Sequence, residues 1–414
     1  MTEASAGTSA GPHVVVGVAG GIAAYKACEL VRRFTESGHD VTVVPTAAAL
    51  QFVGAPTWAA LSGRPVATDV WTGVHEVPHV RLGQSADLVV VAPATADLMA
   101  RAAHGLADDL LTNTLLTARC PVVLAPAMHT EMWEHAATRA NVATLRERGV
   151  LVLDPAEGRL TGADSGKGRL PEPAEIFAVA VDVLARGALA PDLAGRHLVV
   201  SAGGTREYLD PVRFLGNRSS GLQGYALART AVARGAEVTL VAANTSLPDP
   251  AGVKVVRVET TAQLRDAVVI AAATADAVVM AAAPADFRPS SVSDAKIKKT
   301  EDGSVPELTL QQNPDILAEI SRDRVRPGSV IVCFAAETGD ETGSVLEHAL
   351  AKIKRKGCDL LVVNDVSGGK VFGSEENEAV VLDASGESTP VPRGSKSALA
   401  QVIWDRVVAR FETA

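Results

Sequence analysis

At 414 residues the chain is too long for one compact core, and its 47% hydrophobic and 4% aromatic content is typical of two α/β domains with Val-rich strands. The net charge of −9 argues against general nucleic-acid binding, which requires a basic surface. The four cysteines lack CxxC spacing and no run of 18 apolar residues occurs, so we expect reduced thiols, a cytoplasmic location and no membrane span.

The first half of the chain alternates strands with helices. Residues 1–12 are small and polar and predict a disordered tail, followed by a domain over residues 13–187. Strands are predicted at 13–20, 40–46, 86–95, 120–128 and 150–155, with helices at 22–38, near 47–62, within 95–118, and at 131–148 and 173–187. This order predicts a parallel, doubly wound sheet whose ligand site lies at the carboxyl ends of its strands.

The pattern restarts after the Gly- and Pro-punctuated stretch "RGALAPDLAGR", so a second domain is expected over residues 188–414. Its strands are predicted at 196–204, 236–244, 276–287, 329–338 and 358–366, and its helices at 221–235, 260–273, 345–356 and 395–411. Both domains are therefore expected to be Rossmann-like.

The first Gly-rich turn, Gly17 to Gly21, does not have the GxGxxG spacing of a dinucleotide-binding turn. Thr46 also stands where NAD binding calls for an acidic residue at the end of the second strand. A Gly-Gly pair at a helix N-terminus still suits a phosphate, because free backbone N–H groups point at the ligand. A tight strand-to-helix turn without a ligand explains the same residues equally well.

Two further segments lie at the predicted ligand edge of the first domain. His79 precedes a strand, and a lone histidine there is more often a surface or core residue than a catalyst. In "PAMHTEMW", Pro126 ends a strand and Met128, His129, Met132 and Trp133 open a helix. These side chains are either plain core or part of the pocket.

The segment "SAGGTREYLDPVRFLGNRSSG", residues 201–221, is far longer than the two to six residues that a strand-to-helix connection needs. Taken alone, the "KIKK" run at residues 296–299 is most simply a solvated basic segment, and Phe334 is most simply a core residue.

Together these motifs resemble a known family. "GGIAAYK", the His79 segment, "APATADL" and "PAMHTEMW" are similar to the flavin-dependent cysteine decarboxylases. The second half, with "GGTREYLDPVRFLGNRSSG", "AAAPADFRP", "KIKK", "NPDIL", "FAAET" and "KGCDLLVVNDV", resembles phosphopantothenate–cysteine ligase. The two halves in this order resemble the bifunctional decarboxylase/ligase family of bacterial coenzyme A biosynthesis. The resemblance implies a flavodoxin-like flavoprotein domain followed by a nucleotide-binding ligase domain.

For the first half, the resemblance implies an FMN enzyme that oxidises the cysteinyl thiol of 4′-phosphopantothenoylcysteine, releases CO₂ and yields 4′-phosphopantetheine. His79 matches the catalytic histidine, and His129 replaces the asparagine that usually binds the substrate carboxylate. The substrate flap, here "GRLTGADSGKGRL", lacks the cysteine that the family usually has. The positions that match flavin contacts are Gly20, Gly21, Ile22, Ala23, Thr46, Ala94 and Thr95.

For the second half, the resemblance implies that CTP and Mg²⁺ activate 4′-phosphopantothenate as an acyl-cytidylate, which cysteine then attacks. Asn217 is implied to hold this intermediate, with Arg213 assisting and Lys296 neutralising negative charge; Leu222 stands where a lysine is usual. The positions that match CTP contacts are Met280, Ala281, Ala282, Asp286, Lys296, Pro314, Asp315, Ile316, Leu317, Phe334, Lys352 and Lys356.

The resemblance also implies a homo-oligomer, with trimeric flavoprotein cores and dimeric ligase domains, hence a dodecamer. Two other functions remain open at this point. A two-domain NAD(P)-dependent oxidoreductase is opposed by the missing dinucleotide fingerprint. A non-catalytic flavoprotein regulator is opposed by the ligase motifs of the second half.

Overall fold

The computed structural model describes residues 11–66, 78–160, 164–187, 190–298, 307–337, 345–365 and 376–413. The chain divides into two compact units: Met1–Ala194 with Val232–Gly235, and Gly195–Ala231 with Ala236–Ala414. The predicted boundary between residues 187 and 188 stays a prediction, because residues 188 and 189 lie outside the described residues, as do residues 1–10 of the predicted tail.

The first unit is an α/β layer structure with a short 3₁₀ helix at Ala49–Gln51. Its elements in chain order are β1 (His13–Val18), α1 (Ala24–Glu36), β2 (Asp40–Pro45), α2 (Ala55–Ser62), α3 (Pro78–Ser85), β3 (Leu88–Ala94), α4 (Ala96–His104), α5 (Leu110–Thr117), β4 (Val122–Pro126), α6 (Thr130–Glu134), α7 (Ala136–Glu147), β5 (Leu151–Val152), β6 (Ala156–Arg159), β7 (Ser165–Arg169) and α8 (Pro173–Arg186).

Five of these strands form a parallel sheet in the order β2-β1-β3-β4-β5. All seven residues of β3 are buried, as expected for a parallel strand covered by helices on both faces. The strand order is that of flavodoxin-like folds, in which successive strands are added first on one side of β1 and then, from β3 onward, on the other. The predicted fold class of the first domain is confirmed.

The rest of the chain forms a second α/β structure. Its elements in chain order are β8 (His197–Gly203), β9 (Arg206–Tyr208), β10 (Phe214–Gly216), α9 (Leu222–Ala233), β11 (Glu237–Ala243), β12 (Val253–Val258), α10 (Thr261–Ala272), β13 (Ala277–Met280), β14 (Phe287–Pro289), β15 (Leu310–Gln312), α11 (Ile316–Arg322), β16 (Val330–Glu337), α12 (Val345–Lys356), β17 (Leu360–Asp365), β18 (Glu376–Asp383), β19 (Ser388–Ser395) and α13 (Lys396–Thr413).

The second sheet has the order β12-β11-β8-β13-β16-β17-β18-β19. Its first six strands are parallel and follow the Rossmann order. The order in which successive strands are added to the sheet reverses between β8 and β13. β18 and β19 extend the edge as antiparallel strands. The Rossmann-like prediction for this domain is confirmed.

The structure adds elements that the sequence did not predict. β12, the β18–β19 pair and the hairpins β6–β7, β9–β10 and β14–β15 were missed. The exposed strands β15 and β19 carry few buried residues, so they lack the apolar run that marks a buried strand. The helix predicted at 131–148 is two helices, α6 and α7, because His135 has an extended backbone between them.

The structure places Cys333 in β16 and Cys358 before β17 side by side, while Cys28 and Cys120 lie apart as free cysteines. The expectation of reduced thiols stays a prediction. Cys333 and Cys358 are 25 positions apart in sequence, and only the adjacency of β16 and β17 brings them together. Among the described residues, we find no helix with the length and apolarity that a membrane span requires.

The core of the second unit includes a hydrogen-bonded indole. Trp404 on α13 is fully buried, and its Nε1–H lies 3.1 Å from the carbonyl of Leu227 and 3.0 Å from the hydroxyl of Thr230. This residue therefore joins the last helix of the chain to α9 through both packing and hydrogen bonding.

Replacing Trp404 with alanine should lower the free energy of unfolding of the second unit by about 3–5 kcal/mol, because a large cavity forms in a close-packed core. Trp404→Phe should cost less. Urea titrations of the full chain, followed by circular dichroism, measure both values. Ile270→Ala is the matched control, because this α10 side chain is 76% exposed and its loss should cost less than about 0.5 kcal/mol. Equal effects at the two positions would contradict the packing argument.

Candidate active sites

The first candidate site lies where β1 and β3 diverge. A Cβ at Gly20 would stand 2.3 Å from the Cβ of Ala48, so only glycine fits this turn. In the described part of the chain, the backbone N–H groups of residues 20–23 donate to no protein acceptor. A Cβ at Gly21 would meet only one neighbouring atom, the Cγ2 of Thr95 at 4.0 Å. Free donors beside open space at the start of α1 suit an anionic group.

Three other predicted flavin positions surround this turn. The N–H of Thr46 donates to the last carbonyl of β1 at 2.9 Å. Ala94 is buried at the end of β3, and the Thr95 hydroxyl caps α4 by accepting a hydrogen bond from Leu98 at 3.3 Å. The structure therefore brings the predicted flavin-binding residues together at the carboxyl ends of β1, β2 and β3.

A cavity of about 660 Å³ opens beside the Gly20–Ala23 turn. Its wall includes Thr95, the segment after β4 and the β6–β7 hairpin. The hairpin is joined to the segment after β4 by a hydrogen bond from the N–H of Met128 to the carbonyl of Gly168, at 2.9 Å. A pocket of this size accepts a cofactor or a drug-sized substrate.

His129 lines the cavity at the start of α6, and its side chain makes no capping hydrogen bond. Its Nδ1 lies 3.8 Å from the Oδ2 of Asp164 on the hairpin, and nearly half of the ring is exposed. The imidazole is thus placed to donate a hydrogen bond into the cavity. Thr161, which belongs to the predicted flap, lies outside the described residues.

The structure does not bring His79 to this cavity. His79 lies on α3, where its carbonyl accepts a hydrogen bond from the hydroxyl of Thr117 at 2.9 Å. Its Nδ1 is buried and has no hydrogen-bond partner in the described part of the chain. Buried polar atoms are nearly always paired, so this nitrogen calls for a partner that these residues do not supply. The catalytic role of His79 stays a prediction.

Sequence reasoning missed the three cations on the cavity wall, Lys26, Arg159 and Arg169. Lys26 pairs with Glu172 at 3.3 Å, and Arg169 pairs with the same carboxylate. The arginines stand in the flap segment "GRLTGADSGKGRL", and Lys26 in the "GGIAAYK" motif, so the signal was present. It was missed because charged residues in a Gly-rich segment most often face water.

The second candidate site lies where β8 and β13 diverge. A Cβ at Gly204 would stand 2.5 Å from the carbonyl oxygen of Asn217, so the missing side chain lets the long loop fold back against the end of β8. The side-chain amide of Asn217 donates to the carbonyl of Pro284 at 2.8 Å. This bond places Asn217 beside the loop after β13, which carries Ala281 and Ala282.

A buried carboxylate anchors the two loops that carry the predicted ligase residues. Asp210 is fully buried and accepts hydrogen bonds from the backbone N–H groups of Val212 and Arg213, both at 2.8 Å, and of Ile297 at 3.1 Å. The Arg213 guanidinium lies 2.7 Å from the same carboxylate and also donates to the carbonyl of Ile297. Asp210 therefore fixes Arg213 and the neighbour of Lys296 in one cluster.

Burial alone would raise the pKa of the Asp210 carboxyl. The hydrogen bonds from Val212, Ile297 and Arg213 outweigh this effect and lower the pKa to about 2. Lys296 itself is exposed, and Lys299 lies outside the described residues. The cluster thus holds a permanent carboxylate beneath an exposed basic segment.

The predicted CTP positions form two groups. Asp286 and Pro314 are exposed, Phe334 and Lys352 are partly buried, and Asp315 caps α11 and pairs with Lys356. Met280 and Ile316 are instead buried in the core, with Leu317 packed against it. These last three can meet a nucleotide chiefly through their backbone. Among the described residues, no cluster of three or more His, Cys, Asp or Glu side chains could hold a metal ion.

Both halves of the chain match known protein families. The family model "Flavoprotein" matches residues 2–185, and the model "DNA/pantothenate metabolism flavoprotein C-terminal domain" matches residues 193–411. The chain is 61% identical to the coenzyme A biosynthesis bifunctional protein CoaBC of Mycobacterium tuberculosis over 402 residues, which cover 96% of each chain. It is 40% identical to the protein of the same name from Bacillus subtilis over 402 residues, or 96% of this chain and 97% of the other.

Two solved structures each resemble one half. The C-terminal domain of a coenzyme A biosynthesis bifunctional protein is 32% identical, with a TM-score of 0.46 over 54% of this chain and 100% of that domain. The FMN-dependent cysteine decarboxylase SpaF is 34% identical, with a TM-score of 0.37 over 43% of this chain and 98% of that protein. From the curated relatives and the two family models, the chain belongs to the family of bifunctional coenzyme A biosynthesis proteins.

Proposed function

We propose that the chain catalyses two consecutive steps of coenzyme A biosynthesis. The second unit ligates 4′-phosphopantothenate to cysteine, and the first decarboxylates the product to 4′-phosphopantetheine. One observation carries this proposal: the 61% identity to a bifunctional relative spans both halves of the chain, each with a candidate site at the reversal point of its sheet. This function is proposed in place of the two alternatives, a NAD(P)-dependent oxidoreductase and a non-catalytic flavoprotein regulator.

The ligase step needs an activated carboxyl group, because a carboxylate is a poor electrophile. We propose that CTP converts the carboxyl of 4′-phosphopantothenate to an acyl-cytidylate, whose carbonyl the cysteine amine attacks with loss of CMP. One amide hydrogen of Asn217 is used by Pro284, which leaves the other to donate to the intermediate. Arg213 and Lys296 would offset the negative charge that develops as the anhydride forms and collapses.

The same proposal places the nucleotide along the edge formed by the loops after β13 and β15. Asp286 and the Pro314–Leu317 segment lie there, and Asn313 joins them by donating to the carbonyl of Asp286 at 2.9 Å. Lys352 and Lys356 on α12 supply positive charge for the phosphates. A Mg²⁺ ion that is carried by a nucleotide needs only one or two protein carboxylates, so the absence of an acidic cluster among the described residues fits this role.

The decarboxylation step needs a flavin, and we propose FMN at the Gly20–Ala23 turn. Bound FMN would supply reversible two-electron chemistry at the cysteinyl thiol of the substrate. The N–H groups of the turn would bind its phosphate, and the open space at Gly21 fits a group at this position. His129 would donate a hydrogen bond to the substrate carboxylate, and His79 is proposed as a catalytic residue.

We further propose a homo-oligomer, a dodecamer, in a cytoplasmic setting. Exposed apolar side chains on the second unit, namely Phe214, Phe287 and Leu310, support an interface between copies. Mass determination in solution tests the copy number.

Incubation of the purified chain with 4′-phosphopantothenate, cysteine, CTP and Mg²⁺ tests the function, with the products identified by mass. The expected products are CMP, pyrophosphate, CO₂ and 4′-phosphopantetheine. A chain that bound flavin but formed none of these would instead be a regulator. Consumption of a nicotinamide cofactor would favour the oxidoreductase.

Asn217→Asp should leave CTP binding intact and lower ligation about 100- to 1,000-fold, because an amide donor is replaced by a negative group beside the intermediate. The measurement is the rate of 4′-phosphopantothenoylcysteine formation. Decarboxylation of supplied 4′-phosphopantothenoylcysteine is the internal control and should not change. Near-normal ligation by this variant would contradict the role of Asn217.

Asp210→Asn should lower ligation about 100-fold, because displacement of catalytic groups by about 1 Å has this effect. The folded pKa of about 2 lies below the ordinary value of about 3.9, so the carboxylate stabilises the fold above about pH 4 and ceases to do so as the pH falls towards 2. Acid titrations of stability should show a smaller loss in this range for the variant. The exposed Asp266→Asn is the control, and an equal effect there would argue against the anchor.

His79→Asn should reduce CO₂ release from supplied 4′-phosphopantothenoylcysteine by at least about 100-fold, because general acid–base groups contribute at least this much. Flavin content, read from the absorption spectrum, and ligation should remain normal. CO₂ release at the unmutated rate would remove His79 from the catalytic set.

A further inference from the structure

The cavity of the first unit carries an uneven charge. Of the described residues that line it, three are cationic, Lys26, Arg159 and Arg169, and none is a carboxylate. The chain as a whole is acidic, with a net charge of −9. A cationic cavity in an acidic chain is a place where an anionic ligand gains from both Coulomb attraction and charge-assisted hydrogen bonds.

The three cations come from separate elements that meet at this wall. Lys26 lies in the first turn of α1, Arg159 ends β6 and Arg169 ends β7. Glu172, just before α8, contacts both Lys26 and Arg169 and so holds the two cations together.

Burial and a neighbouring cation both act on Lys26. Its side chain is only 19% exposed, and burial lowers its pKa, with the nearby charge of Arg169 acting in the same direction. A second anion beside these groups would relieve both effects, because it replaces lost hydration and offsets the repulsion. Such a group would have to bear at least one negative charge.

We infer that Lys26, Arg159 and Arg169 bind the phosphate of the decarboxylation substrate and set the preference for phosphorylated over dephosphorylated pantothenoylcysteine. The inference rests on the proposed function of the first unit. The phosphate of FMN is the other possible source of the same chemistry. The free N–H groups of the Gly20–Ala23 turn already provide a place for that phosphate, so the side-chain cations are left for the substrate.

The proposed function already gives the substrate carboxylate a partner, because His129 on the cavity wall is placed to donate a hydrogen bond to it. The carboxyl and thiol groups belong to the cysteine end, whereas the phosphate marks the opposite end of the pantothenoyl chain. Contacts at a remote phosphate can hold the reacting end in register with the flavin. The arginines stand on the hairpin that forms one wall, so phosphate binding would also fix that hairpin against the substrate.

The test compares kcat/KM for CO₂ release from 4′-phosphopantothenoylcysteine and from pantothenoylcysteine, with the full-length flavin-loaded enzyme. The unmutated enzyme should prefer the phosphorylated substrate by at least about 100-fold, since each charge-assisted bond is worth about tenfold or more. Arg159→Ala and Arg169→Ala should each reduce this preference about tenfold or more. Their kcat/KM for pantothenoylcysteine should stay within about twofold of the unmutated value, because this substrate has no phosphate group to bind to the cations.

Two variants make the comparison specific. Arg169→Lys should restore part of the preference, because it keeps the charge but not the paired donors. Lys167→Ala is the matched control. It removes a cation from the same strand, but Lys167 points to Asp154, which also has Arg146 at 2.7 Å. Its substrate preference should equal that of the unmutated enzyme.

Flavin content and product binding give readouts that do not depend on turnover. The arginine variants should retain the flavin-to-protein ratio of the unmutated enzyme, and calorimetry should show weakened binding of 4′-phosphopantetheine but not of pantetheine. Loss of flavin from the arginine variants would assign the cations to the FMN phosphate and overturn the inference.

The remaining outcomes separate the inference from the proposed function. CO₂ release from both substrates with equal kcat/KM in the unmutated enzyme would overturn the phosphate subsite alone. Equal losses for both substrates in the arginine variants would do the same. No CO₂ release from either substrate would overturn the decarboxylase function, and the inference with it.

Discussion

A parallel strand that is covered by helices on both faces has no side chain free to meet a ligand along its length. β3, buried at every residue, and the Val-rich strand β1 illustrate this constraint. Function in such a sheet is confined to the strand ends, and a crevice opens only where neighbouring connections leave in opposite directions. Both sheets of this chain have one such point, between β1 and β3 and between β8 and β13. The glycines at residues 20 and 204 lie at these points, where a Cβ would collide with the neighbouring chain.

The loops at these points need buried anchors, because their working side chains are exposed. In the second unit Asn217, Arg213 and Lys296 are exposed, and the order of their loops comes from the fully buried Asp210 beneath them. A buried carboxylate without partners would destabilise the fold. Asp210 instead accepts hydrogen bonds from several backbone N–H groups and pairs with an arginine. The residue that organises the site is therefore one that we do not expect to touch substrate.

The sequence was sufficient for what depends on local pattern. The apolar strands and amphipathic helices were found because burial on two faces leaves continuous runs of Val, Leu and Ala, and the order of elements then limits the topology. The exposed hairpins were missed because their strands, such as β15 and β19, carry no such run. Pairs that only the fold creates were also beyond local pattern: Cys333 with Cys358, Lys26 with Glu172 at a separation of 146 residues, and Asp210 with Ile297. The motif resemblance supplied residues such as Asn217, but it could not show what holds them in place.

The two proposed reactions have a physical requirement in common, which follows from the order in which they act. The ligase changes the carboxyl end of 4′-phosphopantothenate, and the decarboxylase changes the cysteine that has been added there, so the phosphate passes through both steps unaltered. A group that does not react can be bound equally in every state, and its binding energy can then be used to orient the end that does react. Each half would thus need cations away from its reacting centre. In the first unit the inference gives this part to Lys26, Arg159 and Arg169 on the cavity wall, within a chain whose overall charge is negative. Cations that line one cavity suit a small anionic substrate, whereas a polyanion would require a broad basic surface.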